Sequence, residues 1–205
     1  VPNKGSLAEV AAEMLAEATY LPIKALWQKC DVQQWRAHRP ADLLFAAAVL
    51  HFISDHETLT PLLLSQLNPG GCLAAHMPNW RDALRYELML ETLNTGGPNG
   101  RPLGTVQLRQ FMAERTVLPL KSYYQLLAPL TQELDIWETE HLQVVEGKSP
   151  IFDWVKVSAL RPVLLALDQA ENKHFIENYL RLVHEHYPQE ANGQTLFPFK
   201  RIFIL

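Results

Sequence analysis

Two cysteines in 205 residues, Cys30 and Cys72, are too few for a disulfide framework or a thiolate metal cluster. Both fall in strand-like runs, where a buried free thiol is expected. No stretch reaches the roughly 18 consecutive apolar residues of a membrane-spanning helix, and the opening VPNKGS lacks a basic-then-apolar signal pattern. Membrane spanning and secretion are therefore disfavoured, and a cytoplasmic protein is expected. No run of Lys and Arg is long enough to follow a phosphate backbone, and 18 basic against 22 acidic residues leave a formal charge of −4. Nucleic acid is not an expected partner. There is no Gly-x-Ser-x-Gly elbow and no Walker-type loop, so the hydrolase and nucleotide-hydrolysing readings lack their own motifs. His174, His184 and His186 lie on a helix read as solvated, and no metal is expected there.

What is present is a hydrophobic complement of 48%, ample for one large domain. The stretch Arg39–Trp80 organises the rest. It reads as a strand from Asp42 to Val49, a helix from about Glu57 to Leu67, a Pro-Gly-Gly turn and a second strand from Cys72 to Met77. Neither apolar run alternates as a half-wetted strand does, so both faces are expected to be covered, as in a parallel sheet flanked by helices. Ligands of such sheets bind beyond the carboxyl ends of the strands.

Upstream, LAEVAAEMLAEA favours helix up to Pro22, and Leu26–Val32 is a candidate strand with Asp31 at its carboxyl end. Downstream, PNWRDALRYELMLETLN reads as a helix entered at Pro78, followed by helical patterns over Val106–Arg115 and Ser122–Leu130. Leu134–Val145 alternates partially and reads as a strand with one wetter face. Helices resume after Ser149, the last with an apolar stripe at Ile176, Leu180 and Val183. Gln194–Leu205 closes as a strand in which Pro198 demands an edge or a bulge. The expected fold is α/β: a doubly wound, mostly parallel, Rossmann-like sheet with a helical insertion or cap. Its parts are 1–77 as an incomplete cofactor-binding portion, 78–130 as the insertion, and 131–205 as carboxy-terminal strands and cap helices completing the same domain.

The segments CDVQQW, DLLFAAAVLHFISDH, LLSQLNPGGCLAAHMP, LDIW, FDWVKVSALRP and HYPQEANGQTLFPFKRIFI resemble the class I S-adenosylmethionine-dependent methyltransferases, most closely their trans-aconitate 2-methyltransferase group. The resemblance runs from about Ala12 to the end. Leu-Asn-Pro-Gly-Gly is common to many class I enzymes, whereas DWV…LRP and EANGQ…FP are particular to the trans-aconitate group. The resemblance implies S-adenosyl-L-methionine as cofactor, with Asp31 and Val32 matching the pair that holds the adenine. It further implies that Ala46, Ala47, Leu50 and His51 lie beside the methionine part. The group tends to carry Asn where Ala47 stands and a Gln-Trp pair in place of His51-Phe52. The Gly-x-Gly loop after the first strand of such enzymes does not occur in this sequence. On one reading AAEMLAEA is the helix after the second strand, placing Glu9 at the ribose. On the other a strand, the glycine turn and a helix have dropped out around Ala11-Ala12, with Cα neighbours between Gly5 and Met14 far beyond about 3.8 Å.

The implied reaction is methyl transfer from a sulfonium to a carboxylate oxygen of a small polycarboxylic acid. Such an acceptor is already ionised at neutral pH, so positioning residues are expected and no catalytic triad. Cations and neutral donors suit the substrate, which makes Arg161, His76, His51, Trp80, Tyr123 and Tyr124 the candidates. Arg161 stands first because its planar fork suits bidentate carboxylate recognition. Two other functions fit the same fold: methylation of another acid or an acyl-carrier substrate, and a non-catalytic methyltransferase-like accessory protein.

Overall fold

The computed structural model describes residues 12, 14–22 and 24–205. Glu9, the alternative ribose ligand, and most of the segment from Gly5 to Met14 lie outside them.

The described residues form a four-stranded sheet with helices, in the strand order β1-β2-β4-β3. Strand β1 is Ala41–Ala47, and α1 (His56–Leu64) leads back to β2 (Leu67–Asn79), which runs parallel to β1. This is the expected βαβ unit, and the expected α/β class holds. Asp55 caps α1 by accepting from the Thr58 backbone N–H. The Pro-Gly-Gly segment is not a turn between elements. It lies inside β2 as an irregularity, where pairing jumps from Ala41↔Leu67 to Leu43↔Cys72. Gly70, at φ +79°, takes the left-handed conformation that this detour requires.

Helix α2 spans Leu84–Thr95, so Pro78 and Asn79 belong to β2 and not to a helix entry. Helices α3 (Val106–Ala113) and α4 (Leu120–Leu127) follow, then β3 (Ile136–Val145). Helices α5 (Pro150–Lys156), α6 (Arg161–Ala166) and α7 (Gln169–His186) precede β4 (Thr195–Ile204). Strand β4 is antiparallel to both neighbours, so the parallel pairing among the described residues is that of β1 with β2.

Pro198 sits in this inner strand without a lost ladder bond. β2 pairs with β4 only from Lys200 to Ile204, whereas β3 pairs along its whole length. The Pro198 carbonyl accepts from Arg85 Nη1, so the side of the residue that lacks an N–H faces away from β3.

The buried face of β4 changes along its length. Phe197 and Phe199 are buried in the first half, Ile202 and Ile204 in the second, and the register with β3 is unbroken between them. Since alternate residues of a strand point to opposite faces, the sheet carries a core on each side. Phe197 and Phe199 pack with α2, α3, α5, α6 and α7; Ile202 and Ile204 pack with β2, α1 and α4. In α7 the stripe is Phe175, Tyr179, Leu182 and Val183, one position round from the expected one, with Ile176 on its shoulder.

β1 is not covered on both faces: Leu44 and Ala46 pack on the core, but Leu43 and Phe45 are 58% and 68% exposed. On that open face an aromatic row crosses the sheet from Phe45 through His76 and Phe203 to Trp137, with ring centroids 6.1, 5.7 and 5.0 Å apart. Leu26–Val32 forms no strand; among the described residues no ladder bonds pair it, and Leu26 is exposed. Cys30 is exposed and Cys72 half-buried, neither sealed in a core. No helix among the described residues is long and apolar enough to cross a membrane.

Candidate active site

The carboxyl ends of β1 and β2 lie at the same edge of the sheet, because the two strands are parallel. At the β1 exit the chain turns sharply. Ala48 adopts φ +52° while its N–H donates to the His76 carbonyl at 2.8 Å, and Leu50–Phe52 form one 3-10 turn. Leu50 is buried in the core, which holds the turn down. His56 Nε2 lies 2.8 Å from the Leu50 carbonyl, and Thr116 Oγ1 donates to the His51 carbonyl at 2.6 Å. His51 is thereby fixed at the strand edge and is only 5% exposed. Burial first, then electrostatic repulsion from the neighbouring His56, Arg201 and His76, pushes its pKa down to about 4. It is a neutral imidazole at pH 7, and its buried Nδ1 has no hydrogen-bond partner among the described residues.

At the β2 exit stand Pro78 and Trp80. His51 meets Trp80 edge to face at 4.9 Å, and Trp80 stacks on Tyr86 at 6.0 Å. These residues wall a cavity of about 110 Å³ that continues between α2, the α5–α6 connection and Phe199. Its only cation among the lining residues is Arg85, in the first turn of α2.

Arg85 is 7% exposed and held from several sides. Its backbone N–H, one of the orphan donors of a helix start, donates to Tyr187 Oη at 3.1 Å. Its carbonyl accepts from Tyr179 Oη at 3.1 Å. The guanidinium lies over the rings of Phe199 and Phe197, 5.0 and 5.5 Å from their centroids, and donates to the Pro198 carbonyl. The nearby Arg115 pairs with Glu87 at 2.5 Å, and Arg81 donates to the Val117 carbonyl. Arg85 has no acidic partner among the described residues.

The candidates of the sequence divide accordingly. His51 and Trp80 come together in the cavity wall, with Phe52 beside them. Arg161 starts α6 directly after Leu160, a wall residue, but does not itself line the cavity. His76 sits in the aromatic row on the sheet, its Nδ1 buried and, among the described residues, without a hydrogen-bond partner. Tyr123 is fully buried, its hydroxyl bonded to His56 Nδ1, whereas its neighbour Tyr124 is 60% exposed; neither lines the cavity. Asp31 is exposed and opens a turn, accepting from the Gln33 N–H at Oδ1, while Val32 packs with Trp35 on the core. Ala46 faces that core and Ala47 is exposed. Arg85 was missed because its position within a helical pattern carries no local mark of burial.

No family model matches the sequence. Curated relatives do. The trans-aconitate 2-methyltransferase of Pseudomonas paraeruginosa is 63% identical over 195 residues, covering 95% of this chain and 71% of the relative. The chain belongs to the trans-aconitate 2-methyltransferase family. The family enzymes of Azoarcus sp. and Yersinia pestis are 36% and 34% identical, over 95% and 94% of this chain and 74% and 72% of theirs. Among solved structures, one from Bacillus halodurans assigned to the methyltransferases aligns over 97% of this chain and 77% of its own, with a TM-score of 0.49 and 11% identity. Family membership rests on the sequence relatives alone.

Proposed function

We propose that this protein transfers a methyl group from S-adenosyl-L-methionine to a carboxylate of a small polycarboxylic acid of the trans-aconitate type. The observation that carries this reading is the 63% identity to a trans-aconitate 2-methyltransferase over 95% of the chain. The residues at the strand edge fit the donor's methyl end, since the β1 exit carries the buried Nδ1 of His51, which has no partner among the described residues. Ala46, Ala47, Leu50 and His51 would flank the methionine part, and Asp31 with Val32 would hold the adenine. Bound there, the donor supplies an electrophilic methyl carbon on a positively charged sulfur.

The protein's own part is placement. A carboxylate attacks without losing a proton, so the site needs no general base, and a neutral His51 adds no positive charge beside the donor. Trp80, Phe52 and Trp154 give the cavity apolar walls that exclude water and strengthen electrostatic attraction within it. Arg161, His76, Tyr123 and Tyr124 remain candidates for the substrate side.

The test is direct. Calorimetric titration of the chain with S-adenosylhomocysteine should give saturable heat, and incubation with donor and trans-aconitate should yield the methyl ester by mass spectrometry. Absence of heat at high micromolar ligand, together with absence of ester, would overturn the proposal. Weaker S-adenosylhomocysteine binding on Asp31→Ala checks the adenine assignment.

A further inference from the structure

We infer that Arg85 is the substrate-binding cation of the site, receiving a carboxylate of the acid inside the aromatic cavity beside His51. The inference rests on the function proposed above and names a group that the sequence comparison does not.

A guanidinium has five N–H donors in a planar fork matched to a carboxylate. Arg85 spends one, on the Pro198 carbonyl, and no acid meets the rest among the described residues. A buried charge normally carries a paired opposite charge. The rings of Phe197 and Phe199 offset part of the cost, yet burial still depresses the Arg85 pKa below its ordinary value. The environment is set for a charge that the described residues do not supply. A carboxylate entering the cavity would bring it.

Placement supports the same reading. Tyr187 and Tyr179 clamp the Arg85 backbone, and the Pro198 carbonyl with the Phe197 and Phe199 rings holds the guanidinium, so the fork is in place before a ligand arrives. The cavity, about 110 Å³, is several times the ~30 Å³ share of one water and suits one arm of a small acid. It opens on His51 and Trp80, at the strand ends where the methyl donor is expected. One carboxylate held by Arg85 would leave another of the same acid free to be methylated. By contrast, Arg115 is already paired with Glu87.

The experiment titrates the chain with trans-aconitate and with its uncharged trimethyl ester, following Trp fluorescence and heat, with and without S-adenosylhomocysteine. The acid should bind and the ester should not. Arg85→Lys and Arg85→Met should each weaken the acid about 10- to 100-fold, the loss of one or two charge-assisted hydrogen bonds, while S-adenosylhomocysteine affinity stays within about twofold. Ser158→Glu, at the exposed cavity wall, places a competing carboxylate near the fork and should weaken the acid about tenfold without touching the core. Arg85→Lys and Ser158→Glu decide the matter if Arg85→Met fails to fold. Equal binding of the acid by these variants and by the wild type, or equal loss of acid and S-adenosylhomocysteine affinity in Arg85→Lys, overturns the inference. A wild type that binds the acid through Arg85 but not S-adenosylhomocysteine would remove the proposed function and leave this site standing.

Discussion

The hydroxyl of Tyr123 is the point at which a single-atom change should be felt furthest. Tyr123 on α4 is fully buried, and its oxygen meets His56 Nδ1 at 2.5 Å and the Leu118 N–H at 3.3 Å. His56 Nε2 lies against the Leu50 carbonyl, which can only accept, so the proton sits on Nε2 and Nδ1 accepts from Tyr123. A neutral His56 satisfies the network, in keeping with burial lowering its pKa. Tyr123→Phe removes one oxygen and orphans two groups, His56 Nδ1 and the Leu118 N–H. At about 1–3 kcal/mol for each buried unsatisfied group, the expected loss is about 2–6 kcal/mol, a fall of roughly 4–24 °C in Tm for a domain of this size. Urea unfolding followed by circular dichroism measures it. Because His56 also ties down Leu50, the variant should loosen the turn that carries His51 and raise the KM for the acid. Replacing both partners, His56→Leu with Tyr123→Phe, should cost about 1 kcal/mol less than the sum of the single changes, since fewer polar groups are stranded. A Tyr123→Phe protein within about 0.5 kcal/mol of wild type would refute the network and the assigned tautomer.

His51 supplies a pH dependence. With a folded pKa of about 4 against 6.5 unfolded, its contribution is complete above pH 6.5 and is lost as the pH falls toward 4, by about 3 kcal/mol in all. The difference in urea midpoint between wild type and His51→Gln should therefore shift against the wild type across that window, and a pH-independent difference would contradict it. Gly104, at φ +62°, would place a Cβ 2.8 Å from both Leu108 Cδ2 and Leu167 Cδ2, so Gly104→Ala should destabilise by about 1–3 kcal/mol in the same assay. Asp168 and Glu171 form the capping box of α7, and Asp168→Ala should cost about 1 kcal/mol, whereas Asp168→Asn should retain most of the stability.

Local chemistry made much of this chain legible before any coordinates. Apolar runs identified β1, the body of β2 and their crossover, since strand and helix periods are written residue by residue, although the Pro-Gly-Gly read as a turn lies inside β2. The CDVQQW-to-FPFKR segments pointed to the right enzyme family, and the strand-edge rule led to His51 and Trp80. What stayed hidden is non-local. The apolar letters of β1 could not tell that Leu43 and Phe45 face outward, because exposure depends on which layers cover a strand. Nor could Leu26–Val32 show that it lacks a pairing partner among the described residues; a strand exists only through its neighbours.

The sequence by itself determined the α/β class, the crossover unit, the family and the edge where chemistry is to be sought. Only the tertiary structure placed β4 between β2 and β3, with its buried face switching from Phe197 and Phe199 to Ile202 and Ile204. That arrangement brings Arg85 onto Phe197 and Phe199, and to the Pro198 carbonyl more than 110 residues along the chain. Helical periodicity can announce that Arg85 lies on a helix, but the desolvation that makes it a carboxylate receptor arises from segments joined only by folding.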